Sequence, residues 1–297
     1  MSNQKNQTST KTRRVWQTLE TTGLLALGSL SACSSDDPAS ASDASAQPNT
    51  TETTLNAAPL TGEGAGEGAG EGAGEGAGEG EGAMDSALTA ADDVAYLTQI
   101  GLMRGHLWVG NELYQSDLPD MAATHMKHPK AELYSTLEEP FEIRGVTGFS
   151  KELEELAVSV TENAGATAVS AAYNKLASAI SAAELGADTS SPKIIGEVMV
   201  GLLRTAAEEY AIGVVDTEIN NLHEYQDALG FTQIAKQWAQ SPAFLNESTA
   251  ATAASIQGIL SELDVMWPGL NPQNAVTEKA AKLYGAAARI EIQILGL

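Results

Sequence analysis

Apolar side chains recur at every third or fourth position along most of the chain, which is the period of an α-helix packed on one face. A first long helix is predicted to open near Thr89, where Thr-Ala-Ala-Asp forms a variant of a capping box, and to reach about Gln115. A short helix begins near Pro119 and must end before Pro129, and a second runs from Pro129 to about Glu139. No stretch sustains the alternation typical of a strand, so the pattern predicts an all-α fold.

Longer helices are predicted in the second half of the chain. They run over about 151–185 behind a Ser150 cap, from Ser191-Pro192 towards Pro242, from Ser248 to Trp267, and from Asn271-Pro272 to the C-terminus. Because glycine interrupts helices, the second of these is expected to bend near Gly213 or to break near Gly230. Long helices joined by short loops predict an up-and-down bundle over residues 84–297.

The first residues lack this pattern and have the organisation of an export signal. Four basic side chains precede a short apolar run that ends in Leu30-Ser31-Ala32-Cys33. The run is too short to span a bilayer, and small residues at its end are typical of a secretory signal. Leu-Ser-Ala-Cys resembles the lipobox of bacterial lipoproteins, in which the cysteine becomes the lipidated first residue of the mature chain. The resemblance implies a signal peptide over residues 1–32 and a lipid anchor at Cys33.

The lipobox resemblance also implies a location. Ser34 follows the cysteine, at the position where aspartate signals inner-membrane retention in enteric bacteria. The expectation is therefore a protein of the cell envelope, anchored at the outer membrane on its periplasmic face or at the cell surface. The anchor makes the membrane its partner, and an envelope protein as a further partner is left open.

Residues 33–83 have the composition of a disordered tether. They are rich in serine and alanine, and then repeat Gly-Glu-Gly-Ala with a glycine at every second position. Glycine weakens helices, and glutamates spaced four apart would repel one another on one helical face. A flexible, self-repelling coil that holds the following bundle away from the membrane is the expected result.

Charge and composition exclude several classes of function. The chain has 39 acidic and 16 basic side chains, a net charge of -23, whereas a nucleic-acid binder needs a basic face. Its one cysteine excludes an internal disulfide framework and a Cys-x-x-Cys site. Neither a Gly-x-Ser-x-Gly elbow nor a phosphate-binding loop occurs, so no reaction is identified and a non-enzymatic role is favoured.

The globular part contains four histidines and a seven-residue repeat of polar side chains. Glu209, Asp216 and His223 lie two helical turns apart, on the same predicted stripe as Leu202 and Ile212. Polar groups on a buried stripe cost several kcal/mol unless they are paired or bind a metal, so a metal site is predicted here. The second group of predicted ligands, facing the first across the bundle core, comprises His106, His125, His128 and Glu132. Glu208, Glu218 and Glu224 are assigned to an outer, acidic face.

A mixed set of imidazole and carboxylate ligands suits iron, zinc or manganese. Inward-facing sets of this kind build di-iron and di-manganese sites in helical bundles, although the Glu-x-x-His signature of those sites is missing here. His125 and His128 form His-x-x-His, but Pro129 after them argues against one regular helix. The role expected of the site is metal acquisition, storage or redox handling.

The sequence is also compatible with other interpretations. Glu209, Asp216 and His223 would need no metal if they lay at a helix boundary, solvated or paired with an arginine. The available arginines are Arg104, Arg144 and Arg204. A non-enzymatic envelope scaffold or adhesion module without a cofactor is a second alternative.

The methionines near two of the histidines support a third alternative. Met103 precedes His106 by one turn, and Met121 and Met126 flank His125. A pocket of methionine and histidine would suit copper or a b-type haem. Methionine at helical spacing is also a common core filler.

Overall fold

The structure is a computed structural model that describes residues 84–273 and 275–297, with the side chains of residues 128, 131 and 132 outside the description. The predicted signal peptide, Cys33 and the tether lie outside the described residues. Ten α-helices occur in the described chain: α1 (Ser86–Ala91), α2 (Asp93–Gln115), α3 (Pro119–His128), α4 (Glu138–Arg144), α5 (Ser150–Thr161), α6 (Ala166–Glu184), α7 (Pro192–Gly213), α8 (Leu222–Trp238), α9 (Ala250–Ser261) and α10 (Ala281–Ile294).

Short elements connect several of these helices. A π-helical turn (Pro129–Leu133) and a 3₁₀ turn (Ser135–Leu137) join α3 to α4, and further 3₁₀ turns span Pro242–Phe244 and Asp264–Met266. The described strands are β1 (Val214–Val215) and β2 (Glu218–Ile219), which pair antiparallel between α7 and α8. The predicted all-α helical bundle is confirmed. Among the described helices, none combines the length and apolarity needed to cross a bilayer.

Helix α2 is the central element of the bundle. It packs against α3, α6, α7 and α8, and its buried side chains lie on every side of the helix rather than along one stripe. A helix that is buried on every side needs neighbours all around it. Its start is fixed by Asp92, whose side chain accepts a hydrogen bond from the Ala95 backbone nitrogen at 2.8 Å. The cap is therefore Asp92 rather than Thr89, which belongs to the preceding short helix α1.

Two glycines allow α2 and α8 to approach closely. A Cβ on Gly105 would lie 2.4 Å from Cδ1 of the Phe231 ring, and a Cβ on Gly230 would lie 2.6 Å from the Gly105 carbonyl oxygen. Because no side chain fits between the two backbones, only glycine permits this approach. It brings His106, the residue after Gly105, beside Asp227 of α8.

The helix predicted over 151–185 is in fact two helices, α5 and α6. The chain reverses between them at Asn163 and Gly165, which have φ angles of 49° and 91°. That conformation costs glycine little and is tolerated by asparagine, so this pair of residues ends α5 and turns the chain back. Because α5 and α6 then pack on each other, they bury apolar positions that a continuous helix would leave without a neighbour.

The helix after Ser191 begins where the sequence predicts, but it ends well before Pro242. The Ser191 hydroxyl accepts a hydrogen bond from the Ile194 backbone nitrogen at 3.3 Å, and Pro192 occupies the first turn of α7. Helix α7 stops at Gly213, where a Cβ would lie 2.5 Å from the Tyr225 backbone nitrogen. The break therefore falls at Gly213, and Gly230 lies inside the continuous helix α8.

This break changes the predicted polar stripe. Asp216 lies in the turn of the β1–β2 hairpin with a φ of 52° and is exposed, and Ile212 is also exposed. The prediction that Glu209, Asp216 and His223 share one helical stripe is wrong, because the hairpin reverses the chain between the first and the last. Glu209 lies on α7 and His223 lies on α8.

The C-terminal helices differ from their predicted bounds. Helix α9 begins after Thr249 and ends at Ser261, and Asn271-Pro272 opens no helix because α10 starts only at Ala281. Part of the irregular segment between them packs along α8: its Gly269 and Leu270 carbonyls accept hydrogen bonds from Tyr225 and Gln226. The second short helix predicted from Pro129 is likewise replaced by the π-helical and 3₁₀ turns and α4.

Candidate metal centre

A buried carboxylate on α8 joins histidines from two other helices. Oδ1 of Asp227 lies 2.7 Å from Nδ1 of His106 on α2 and 2.9 Å from Nδ1 of His125 on α3. All three side chains are at most 1% exposed. The close packing at Gly105 and Gly230 positions the first pair, and α3 packs along α2 to supply the second histidine.

A third histidine approaches the same carboxylate from its other oxygen. Nδ1 of His223 lies 3.0 Å from Oδ2 of Asp227, one turn further along α8, and 3.9 Å from Oε2 of Glu224. The His223 ring stacks on the His125 ring, with centroids 4.3 Å apart and planes 8° from parallel. At 21% exposure of its side chain, His223 is the member of the cluster nearest to solvent.

The start of α8 is organised by Asn221. Its side chain accepts a hydrogen bond from the His223 backbone nitrogen at 3.1 Å and donates one to Oε1 of Glu224 at 3.2 Å. An asparagine cap of this kind satisfies a backbone donor that the first turn of a helix leaves open. Because α8 begins here, His223 and Asp227, four residues apart, lie on the same face of the helix.

Gln226 holds the far side of His125. Its Oε1 lies 2.8 Å from Nε2 of His125, while its amide nitrogen donates to the Leu270 carbonyl at 2.8 Å. A carbonyl only accepts, so the amide orientation is fixed and Nε2 of His125 must carry the donated hydrogen. This leaves Nδ1 as the nitrogen whose lone pair is available towards Asp227 when the ring is neutral.

The electrostatics of the cluster favour charged carboxylates in the interior. Burial alone would raise the pKa of Asp227, but His106 and His125 outweigh burial and hold that pKa well below its usual range. The neighbouring His223 ring lowers the pKa of Glu224, burial opposes this shift, and a hydrogen bond with the Glu209 carboxyl group lowers it further. A buried carboxylate that stays ionised beside imidazoles is a ligand that cations can use.

The structure brings together three of the histidines named from the sequence, His106, His125 and His223. Glu209 is buried and contacts the cluster through a hydrogen bond with Glu224. Asp216 is not part of the cluster, because it is exposed in the hairpin turn. The side chains of His128 and Glu132 lie outside the description; the backbone of Glu132 belongs to the π-helical turn that follows α3.

Sequence reasoning missed three residues of the cluster: Asp227, Glu224 and Gln226. The sequence pattern places Glu224 on an outer face, but the structure buries it, with 6% of it exposed. The signal that identifies Asp227 is its four-residue spacing from His223, which places both on one face only once α8 is known to begin at Leu222.

The arginines proposed as partners of the polar stripe are engaged elsewhere. Arg104 pairs with Glu184 at 2.7 Å, and Arg204 pairs with Glu291 at the same distance. Arg144 pairs with Asp93 at 2.6 Å. Each of these pairs joins two helices of the bundle, and none of the three carboxylates belongs to the histidine cluster.

The donor set fits a metal ion. The ligand atoms of His106, His125 and Asp227 lie within 4.8 Å of one another, as do those of His223, Glu224 and Asp227. Atoms that bind one tetrahedral ion at about 2.0–2.2 Å lie about 3.3–3.6 Å apart. The separations of 2.7 and 2.9 Å around Oδ1 would therefore open by less than about 1 Å on binding.

Comparison with known proteins bears on this cluster. Residues 185–295 match the model of the iron permease-associated 4-helix bundle domain. The match spans α7 to α10 and includes His223, Glu224 and Asp227, but it covers less than half of the chain. No curated protein and no solved structure matches the sequence.

Similarity to the iron permease-associated domain agrees with the observed helical bundle. The matched segment supplies the carboxylates of the cluster and one of its histidines. His106 and His125 come from α2 and α3, which precede the match. The cluster is therefore built by the matched helices together with two helices that lie outside the match.

Proposed function

We propose that this protein is a lipid-anchored component of the cell envelope that binds a metal ion, with iron as the first candidate, for metal acquisition. The observation that carries the proposal is the convergence of three imidazoles on one buried carboxylate. His106 and His125 meet one oxygen of Asp227, and His223 meets the other. Burying such a polar set is costly unless the groups are paired or bind a metal.

The choice of iron rests on the donor types and on the similarity. Imidazole nitrogen and carboxylate oxygen suit iron, zinc and manganese, and the matched domain is described as associated with an iron permease. Met103 and Met126, which suggested copper or haem, pack in the hydrophobic core. The net charge of -23 would also concentrate cations around the protein.

Metal binding should stabilise the folded protein. With free metal at a hundredfold excess over Kd, the free energy of unfolding should rise by roughly 2.7 kcal/mol, because only the folded chain assembles the cluster. The test uses the full chain purified in detergent, with elemental analysis and thermal unfolding in iron, zinc, manganese or copper. The double variant His125→Ala, His223→Ala should lose both the metal and the stabilisation.

A matched control separates the site from general charge effects. Glu154 is an exposed carboxylate that pairs with Lys130, so Glu154→Ala should leave the metal content unchanged. If the wild-type chain shows no bound metal and no thermal shift with any of the four ions, the proposed metal site is wrong.

Anchoring through Cys33 is supported by the lipobox resemblance, and it can be tested directly. Cys33→Ala removes the thiol that would carry the lipid, so the protein should move from the membrane pellet to the soluble fraction. Ser35→Ala, two residues away, is the control and should stay in the pellet. Pelleting of the Cys33→Ala variant with an unchanged detergent-phase partition would contradict the anchor.

A further inference from the structure

The two oxygens of Asp227 serve two different groups of side chains. Oδ1 faces His106 and His125, while Oδ2 faces His223. Glu224 lies beside His223 on the same side. We infer that the centre holds two metal ions bridged by the Asp227 carboxylate, an inference that rests on the proposed function and makes it more specific.

The orientation of two histidine rings carries the inference. The rings of His125 and His223 are stacked, with centroids 4.3 Å apart and planes 8° from parallel. An imidazole nitrogen binds a metal through a lone pair that lies in the plane of its ring. Two stacked, parallel planes do not meet, so one ion cannot lie in both. If both rings bind metal, they bind separate ions.

The spacing of the rings fits a pair of ions. In two-metal sites the ions lie about 3.5–4 Å apart, which is close to the centroid separation of 4.3 Å between the stacked rings. Each side has a set of three ligand atoms within 4.8 Å of one another. The first ion would take His106, His125 and Oδ1 of Asp227, and the second would take His223, Glu224 and Oδ2.

A network of hydrogen bonds within the protein does not account for Oδ2 of Asp227. This oxygen is buried, and it accepts no hydrogen bond from the side chains and backbone that the structure describes. Nδ1 of His223 lies 3.0 Å from it as an ion-pair partner. Because an ionised oxygen that accepts no hydrogen bond is costly in the interior, a cation bound at Oδ2 would stabilise it.

The carboxylates next to His223 suit a bound cation. Glu224 is buried, its Oε1 accepts from Asn221, and Glu209 packs behind it as a hydrogen-bonded carboxyl group. Two carboxylates, Glu224 and the shared Asp227, would offset the charge of a divalent ion bound there. His223 is the nearest of the ligands to solvent, so the second ion would be the more accessible one.

The number of bound ions decides the inference. The full chain in detergent is loaded anaerobically with Fe²⁺ and separately with Mn²⁺, freed of unbound metal, and analysed for metal per chain. Two ions per chain are expected, and Mn²⁺ should give an exchange-coupled paramagnetic resonance signal instead of the hyperfine pattern of isolated Mn²⁺. One ion per chain, with the isolated pattern, overturns the bridged pair while leaving the proposed function standing; no ion at all overturns the proposed function.

A variant assigns the second ion to its ligands. Glu224→Gln keeps the size of the side chain but removes its charge, so the metal content should fall from two ions to one and the exchange coupling should disappear. Glu218→Gln, an exposed residue of the β1–β2 hairpin, should keep both ions. Retention of two coupled ions by Glu224→Gln would overturn the ligand set, and the wild-type stoichiometry still tests the inference if that variant fails to fold.

Discussion

Asp227→Asn is expected to weaken metal binding more than roughly 100-fold. Loss of a residue that only supports a metal ligand costs about 10–100-fold in affinity, and Asp227 is itself the group on which His106, His125 and His223 converge. Asparagine has the same shape but lacks the charge and one acceptor oxygen. Isothermal titration with Fe²⁺ measures the loss, and circular dichroism checks that the helices are retained.

Asp216→Asn is the control for this change, because it makes the same chemical replacement eleven residues earlier. Asp216 is an exposed residue of the hairpin turn, so its replacement should leave the affinity for metal unchanged. The opposite pattern, with Asp216→Asn impaired and Asp227→Asn intact, would support the ligands that the sequence predicted and contradict the cluster that the structure describes.

The helix starts that sequence predicted correctly depend on local signals. Ser191 and Pro192 open α7, and Pro119 opens α3, because a side-chain acceptor or a fixed φ acts within one turn of the chain. Gly213 shows where local reasoning stops. Whether a glycine ends a helix depends here on the approach of the Tyr225 backbone, which belongs to the next helix. The sequence predicts a bend near Gly213 or a break near Gly230, and the packing of α8 places the break at Gly213.

The helix boundary at Gly213 explains why Asp216 is absent from the cluster and why Asp227 belongs to it. With α7 and α8 taken as one helix, a seven-residue count passes from Glu209 through Asp216 to His223. Because the hairpin separates the two helices, this spacing does not extend from α7 into α8. The partner of His223 is instead Asp227, one turn further along α8. His106 and His125 were recognised as candidates from residue type alone, since their meeting depends on α2 and α3 packing together.

The cluster also joins parts of the chain with different relationships to known proteins. The segment that matches the iron permease-associated domain contains the carboxylates, and the segment before it contains His106 and His125. In this chain the matched helices alone would therefore lack two of the three imidazoles. The interface between α2 and α8 is consequently as important for the proposed function as the ligands are.

Gly230→Ala tests that interface and should reduce both stability and metal binding. The new Cβ would lie 2.6 Å from the Gly105 carbonyl oxygen, and a backbone atom in a helix cannot rotate away, so α2 and α8 must separate. Overpacking of this kind costs about 1–3 kcal/mol, and more where backbone must move. The higher helix propensity of alanine returns up to about 1 kcal/mol, leaving a net loss of about 2 kcal/mol and a fall in Tm of roughly 4–8 °C.

The same separation should weaken metal binding, because it moves His106 away from Asp227. These two side chains are 2.7 Å apart, and two ligands of one tetrahedral ion must lie within about 3.6 Å of each other. Gly285→Ala is the matched control of opposite sign: Gly285 lies within α10 with nothing within 4 Å of its Cβ position, so alanine there should raise stability by about 0.5–1 kcal/mol and leave metal binding unchanged. Thermal unfolding and Fe²⁺ titration of both variants make the comparison. If Gly230→Ala proved as stable as Gly285→Ala and bound Fe²⁺ with wild-type affinity, the close approach of α2 and α8 would not be what assembles the centre.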